Sequence, residues 1–197
     1  MRTTDLSMVI ALAMLTPAFT AAAEPSARML AYSCAGCHGT DGSSVGLSNP
    51  HLAGMNKEYF IESMQDYKLD RRNPTIMNRL AKAYTDKQIA GMADFFAAQP
   101  LRLLSQEHDA SQVELGARYH QRYCEKCHEE GGRGDSDGGI LAGQWALYLR
   151  YTMADYKSGA RLITRKMRKK LEKMEEMEQA HGDAAVEALI HFYTSQK

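Results

Sequence analysis

The pattern Cys-x-x-Cys-His occurs twice, as Cys34-Ala35-Gly36-Cys37-His38 and Cys124-Glu125-Lys126-Cys127-His128. It constrains the chain more than any other feature. Two residues between two thiols let one helical turn present both sulfurs to one edge of a flat ligand. The histidine that follows then lies beneath the centre of that ligand. This is the attachment signature of a c-type haem, in which the thiols add to the vinyl groups and the imidazole supplies an iron ligand. All four cysteines of the chain are used. A zinc site or a redox dithiol also uses paired cysteines. Zinc would have to join the pairs across about 86 intervening residues. Either reading leaves the histidine after each pair unexplained.

The motifs belong to a longer repeat. Cys34 and Cys124 are offset by 90. Leu52-Ala53-Gly54 answers Leu141-Ala142-Gly143 at 89, as do Tyr59 and Tyr148, Met64 and Met153, and Asp66-Tyr67-Lys68 and Asp155-Tyr156-Lys157. Phe95-Phe96 answers Phe192-Tyr193 at 97. Matches in one order with small slips predict a duplicated unit, with about seven extra residues after Met167 in the second copy. The expected layout is a targeting segment over 1–23, an N-terminal cytochrome domain over 24–99, a linker over 100–112 and a C-terminal domain over 113–197. A haem contributes apolar surface of its own, which helps a unit of about 80 residues to form a core.

Both units read as helical, and no segment alternates as a strand does. Ser26 to Cys37 is expected as one helix ending in the haem motif. Lys57 to Tyr67 places Tyr59, Phe60, Met64 and Tyr67 at helical spacing. Leu69 to Thr75 reads as a loop. Thr85-Asp86 looks like a cap before a last helix with Ile89, Met92, Ala93 and Phe96 on one face. Pro100 ends that helix, the leucines at 101, 103 and 104 are expected to pack on the lobes, and Ser111 is expected to cap the next helix. Glu129 to Gly139 reads as a mobile surface loop. Met167 to Ala180 reads as a long polar helix with Leu171, Met174 and Glu178 on one face. Its basic residues (Arg165, Lys166, Arg168, Lys169, Lys170) come first and its acids after, against the preference of the helix dipole. It is either a basic docking rim beside the second haem or a solvated helix with weak local ion pairs.

The sixth iron ligand separates a carrier from an enzyme. Methionine closes the site and raises the potential, so the iron passes electrons and does little else. Met77 lies 39 residues after His38, and Met167 lies 39 after His128. Both follow a loop, where a residue reaching the opposite haem face belongs. Met64 and Met153 sit inside an amphipathic helix and read as core. Met92, Met174 and Met177 have no methionine counterpart in the other unit. His51, His108, His120, His181 and His191 are unpaired in the repeat and read as structural. Tyr32, Tyr123 and Trp145 read as walls of the haem sites with a hydrogen bond at one edge.

Net charge is zero and no long tail carries one sign, which argues against nucleic acid as a partner. Arg2, the short apolar run Ser7 to Leu15, and Ala21-Ala22-Ala23 before Glu24 read as a removable export signal, too short to span a bilayer. No later stretch approaches a membrane span. Export fits covalent haem, and the bacterial periplasm is the expected address.

The pattern Cys34 to Thr40 with Thr75-Ile76-Met77 resembles the class I cytochrome c lobe of diheme cytochromes of the c4 type. Tyr123 to His128, Gly131-Gly132, Ile140 to Trp145, and the ending Gly182-Asp183-Ala184 to Gln196 resemble the cytochrome subunit of flavocytochrome c sulfide dehydrogenase. The resemblance implies an all-α fold of two tandem class I cytochrome c lobes about a pseudo-twofold axis, with haem propionates facing each other. It implies two covalently bound haem c groups: Cys34, Cys37, His38 and Met77 for one, Cys124, Cys127, His128 and Met167 for the other. It also implies a partner flavoprotein that carries FAD and oxidises sulfide, and a soluble c-type cytochrome as electron acceptor. The subunit would not be catalytic alone. The residues themselves reach only a periplasmic two-haem electron carrier; a free-standing c4-like carrier and, more remotely, a diheme peroxidase use the same parts.

Overall fold

A computed structural model describes residues 23–197 except 74, 135–138 and 162–164; the side chains of 165–167, 169 and 170 also lie outside the description. The expected export signal therefore falls, but for Ala23, outside the described residues.

Among the described residues ten α-helices or helical turns follow one another, with one π-helical turn over His120–Cys124 between α6 and α7: α1 Ala27–Tyr32, α2 Ala35–His38, α3 Lys57–Lys68, α4 Ile76–Ala81, α5 Asp86–Ala97, α6 Ala110–Tyr119, α7 Glu129–Gly132, α8 Ala146–Lys157, α9 Arg165–His181 and α10 Ala184–Ser195. Among the described residues there is no strand, only an isolated antiparallel bridge between Arg72 and Arg161. The expected all-α, two-lobe fold is the one observed. In the first lobe α1 packs on α5 and α3 on α4 and α5; in the second α6 packs on α10. Each lobe has its own buried apolar cluster, one centred on Ile89, Met92 and Phe96, the other on Met177, Leu189 and Tyr193. The stripe expected on α5 is buried as read, and Thr85 closes a capping box with Gln88.

The duplication is visible hydrogen bond by hydrogen bond. The Gly42 carbonyl accepts from the amides of Leu52 (2.7 Å) and Ala53 (3.1 Å), and Gly54 N donates to Phe96 O at 2.9 Å. The Gly132 carbonyl accepts from Leu141 (2.9 Å) and Ala142 (3.0 Å), and Gly143 N donates to Tyr193 O at 2.8 Å. Gly42 and Gly132 have φ of +86° and +91°. A side chain there would also strike the ring of Phe96 in one lobe and of Tyr193 in the other. Only glycine fits both demands.

Several local expectations are corrected. The first haem helix is broken: α1, capped by Ser26, stops at Tyr32, and a turn at Ser33–Cys34 leads into α2. The second lobe solves the same problem with a wide turn over His120–Cys124, closed by Glu125 N to His120 O at 2.8 Å. Asp109, not Ser111, caps α6; its carboxylate takes both the Ser111 amide and hydroxyl. Asp109 wins because a carboxylate accepts both bonds at once. The front of the glycine-rich loop is not loose: the Glu125 carboxylate holds the amides of Glu130 and Gly131 at 3.1 and 3.4 Å. On α9, Met177 is fully buried and Met174 packs on the same core, so this polar helix has an apolar underside. Lys157 pairs with Glu178, and Lys173 with Glu176 at 2.7 Å. The side chains of Lys169 and Lys170, which the docking-rim reading needs, lie outside the described residues.

The lobes are joined by buried polar contacts. Gln144 Oε1 accepts from His51 N at 3.0 Å, Trp145 Nε1 donates to Ser44 O at 3.1 Å, and Tyr148 N donates to Leu47 O at 3.2 Å. His51 is 2% exposed and stacks on Trp145, with centroids 5.9 Å apart. Trp145 is thus a contact between lobes, and it enters α8 at its N-cap position. Replacing Trp145 with Phe keeps the stacked ring and orphans the Ser44 carbonyl. We expect a loss of about 1–3 kcal/mol in denaturant unfolding; an unchanged midpoint would contradict this account of the joint.

His51 also sets a pH dependence. Ser44 N donates to its Nδ1 at 2.9 Å, and its other nitrogen bonds the Gly143 carbonyl. The Ser44 bond needs an unprotonated Nδ1, and burial lowers the pKa below 6.5 although the Gly143 bond works the other way. A pKa depressed on folding means stability that is complete above the unfolded value and lost as pH falls through the folded one. Unfolding midpoints should be level above about pH 6.5 and decline below it. The decline should be shallower in His51→Gln; a decline as steep as in the wild type would assign it elsewhere.

Candidate functional site

Each Cys-x-x-Cys-His segment forms one tight turn. In the first lobe Cys37 N and His38 N both donate to Cys34 O, at 3.2 and 2.9 Å. In the second, Cys127 N and His128 N donate to Cys124 O at 3.1 and 3.0 Å. None of the four cysteines is joined in a disulfide. The turns place both thiols and the histidine on one short arc, as a haem edge needs.

His38 is buried, and its Nδ1 lies 2.8 Å from Pro50 O. A carbonyl only accepts, so Nδ1 carries the proton and Nε2 keeps its lone pair. Burial also pushes the His38 pKa down. A neutral, oriented imidazole with a free Nε2 is the form that binds iron. Cys34 is half-buried against the first core, and burial pushes its thiol pKa up.

Met77 stands at the start of α4. Thr75 Oγ1 accepts from Met77 N at 3.1 Å, and Thr75 N donates to Asn78 Oδ1 at 2.9 Å, a reciprocal cap that fixes the loop. Asn78 is buried and its Nδ2 reaches Asp70 Oδ1 at 3.2 Å. Met77 packs against the same cluster as Cys34. Met167 lies in the first turn of α9, and its side chain is outside the described residues. Met64 is buried core and Met153 packs on the second core, in line with their reading as packing residues.

The other histidines have structural partners. His120, 3% exposed, bonds Tyr193 OH through Nδ1 at 2.9 Å and Glu125 through Nε2. The His120 bond holds the Glu125 carboxyl below its ordinary range. His191 Nδ1 accepts from Asp109 N at 3.1 Å, and His181 packs at a tilt against the Tyr119 ring. Tyr32 is partly exposed, bonded by Arg28 Nε at 2.6 Å and edge-on to Phe95.

Sequence reasoning passed over three features. Asn78 follows Met77 and had no repeat partner to mark it. The carbonyl of Pro50 carries no side-chain signal at all. Arg72 and Arg161 are related by the same shift of 89 as Tyr59 and Tyr148, so the repeat alone could have revealed them.

Against known proteins, the cytochrome c family pattern matches residues 23–100. Cytochrome c4 of Pseudomonas aeruginosa is 30% identical over 136 residues, which span 65% of this chain and 68% of that protein. The cytochrome subunit of sulfide dehydrogenase of Chlorobaculum tepidum is 40% identical over 80 residues, 41% of this chain and 72% of that one. The thiosulfate dehydrogenase electron acceptor of Thiomonas intermedia is 26% identical over 156 residues, 74% of this chain and 70% of that one. Among solved structures, reduced cytochrome c4 from Pseudomonas stutzeri superposes with a TM-score of 0.72 at 22% identity, over 87% of this chain and 97% of that one. With two attachment turns, two helical lobes and these relatives, the chain belongs to the cytochrome c family and is a two-lobe electron carrier of the c type.

Proposed function

We propose that this chain is the diheme electron-transfer subunit of a sulfide-oxidising flavocytochrome. It takes electrons from an FAD-containing partner subunit and passes them to a soluble c-type cytochrome in the periplasm, after removal of its first 23 residues. The observation that carries the two-haem reading is the pair of matching Cys-x-x-Cys-His turns, one per lobe. The sulfide partner rests on the resemblance of the second lobe and on the 40% identity to a sulfide dehydrogenase cytochrome subunit.

In this reading Cys34 and Cys37 hold one haem c as thioethers, and Cys124 and Cys127 hold the other. His38 and Met77 would flank the first iron, and His128 and Met167 the second. The haems supply a one-electron couple between ferric and ferrous iron. The chain's own residues do the rest: the Pro50 carbonyl orients His38, the Thr75–Asn78 cap holds the Met77 loop, and the apolar clusters keep water from the porphyrin faces. A closed iron binds no substrate, so the isolated subunit should oxidise no sulfide.

A c4-like free carrier is the second reading, favoured by the longer match to cytochrome c4, 65% of this chain against 41%. Affinity capture of the tagged, exported protein from its native periplasm separates them. A flavoprotein eluting in equal amount with haem is the expected result; capture of this chain alone, without flavin, would overturn the subunit reading.

A further inference from the structure

His38 takes its orientation from the Pro50 carbonyl, and a proline has no N–H of its own to anchor it. That carbonyl is fixed by its peptide plane. The Pro50 carbonyl and the His51 N–H belong to one rigid trans unit and point in opposite directions. One end accepts from His38 Nδ1 at 2.8 Å, and the other donates to Gln144 Oε1 of the second lobe at 3.0 Å. Gln144 Nε2 also reaches His51 O at 3.4 Å. One side chain of the second lobe thus takes both backbone groups of His51. It is 3% exposed, so bulk water does not compete for either bond.

Gln144 is itself held in place. Gln106 of the linker donates to its carbonyl at 3.0 Å and accepts from Ala146 N at 3.0 Å. The neighbours of Gln144 grip the His51 ring, Gly143 through its carbonyl and Trp145 by stacking. A line of hydrogen bonds therefore runs from the linker, through the second lobe, to the imidazole of the first. Bonds in such a line polarise one another: an acceptor on the N–H end of a peptide makes its carbonyl a stronger acceptor. A stronger acceptor at Nδ1 makes the histidine a more basic ligand through Nε2.

The repeat does not reproduce this clamp. The residue 89 before Gln144 is Met55, and the residue 89 after His51 is Ile140. Met55 is buried in the first core. A thioether donates no hydrogen bond and accepts only weakly, so it cannot take both groups of a peptide backbone. The clamp acts in one direction, from the second lobe onto the first. We propose that Gln144 is a positioning residue for the N-terminal haem: it holds the 50–51 peptide across the joint, makes His38 a stronger iron ligand and so lowers the potential of that haem. This rests on the two-haem reading.

The test is Gln144→Met in the exported protein, with haem number checked by mass. Methionine keeps the shape of glutamine and removes both bonds to His51. Both potentials are read by spectroelectrochemical titration, and exchange of the His38 Nδ1 proton with heavy water is followed by NMR in the ferrous protein. The reduction equilibrium of the N-terminal haem should move at least threefold toward ferrous iron, about 28 mV at 59 mV per tenfold for one electron. The sign follows because a less basic histidine supports ferric iron less. The His38 ring proton should exchange at least tenfold faster, and the C-terminal haem should move less than threefold. A smaller or opposite shift of the N-terminal haem, an equal shift of both haems, or an unchanged exchange rate would overturn the proposal. Trp145→Phe breaks a neighbouring bond of the joint and leaves the clamp, so it should move the N-terminal haem less than threefold. A shift as large as that of Gln144→Met would make a loosened joint the cause and overturn the proposal too. If Gln144→Met fails to take up two haems, Gln106→Met replaces it. That variant frees the backbone that carries Gln144 and should move the N-terminal haem in the same direction by a smaller factor; no movement would overturn the proposal. Fewer than two haems in the wild type would instead sink the underlying reading.

Discussion

Replacing Met77 with Leu should lower the potential of the N-terminal haem on the order of 0.1 V or more, within the ~0.8 V over which axial ligands set haem potentials. Leucine conserves the volume that packs against the first core, so the fold should survive. The thioether is what disappears, and with it the preference for ferrous iron. Covalent attachment through Cys34 and Cys37 does not involve Met77, so the mass should still include both haems. The Met167→Leu variant should do the same to the C-terminal haem. Redox titration with the two haems resolved spectrally checks both. Potentials unchanged in the two variants would remove methionine from both irons. If Met77→Leu moved the C-terminal haem more than its own, the pairing of ligands with lobes would be wrong.

The second large effect is structural. An ideal Cβ on Gly116 would lie 2.0 Å from the Ala188 carbonyl oxygen and 2.7 Å from Phe192 Cβ. Neither can yield, because both belong to the face of α10 on which α6 rests. Gly116→Val should therefore cost about 3 kcal/mol, at the upper end of over-packing penalties. It should do so locally: α6 leads into the Cys124 turn and α10 carries Tyr193, so the second lobe should loosen first. Gly91→Ala in the first lobe is the control. There the nearest atom is Ala27 Cβ at 3.1 Å, a small strain offset by helix propensity worth up to about 1 kcal/mol. Denaturant unfolding followed in each Soret band should separate the two variants. Equal midpoints would show that the α6–α10 crossing is not as tight as described.

Much of this was legible because the chain states its plan twice. The repeat gave the two lobes, and apolar spacing marked the faces of α3 and α5. The Cys-x-x-Cys-His turns formed as spacing required. The failures share a cause: they depend on contacts between distant segments. Ser26 to Cys37 reads as one helix, since nothing local reveals the turn at Ser33. Trp145 reads from sequence as a ring wall with a hydrogen bond at one edge, and the partner of that bond, Ser44 in the other lobe, is what no local pattern names. His51 faces an isoleucine in the repeat and carried no signal; its role lies in the lobe joint. Ser111 had the right chemistry for a cap, and Asp109, two residues earlier, had better. Met177 in a highly charged helix gave no hint of complete burial, because amphipathicity there is carried by few residues. Arg72 and Arg161 obeyed the repeat but lay in loops, where repeated residues draw less notice than in helices.

Lobe symmetry also has limits that matter for function. The His120–Glu125–Tyr193 chain has no first-lobe counterpart, since Leu30, Ala35 and Phe96 stand at the matching positions. The second attachment turn is thereby tied to α10 by a polar chain, whereas in the first the Cys37 carbonyl accepts from Ser44 Oγ at 3.2 Å and Asn49 Nδ2 at 3.0 Å. Two haems in these surroundings should have different potentials, which gives electrons a direction.

The most direct measurement is the mass and visible spectrum of the exported protein taken together. The account predicts a polypeptide carrying two haems that survive denaturation, with ferrous and ferric spectra of low-spin, six-coordinate iron and the far-red band of thioether ligation. A mass with one haem or none, or a high-spin spectrum from an open iron, would contradict it.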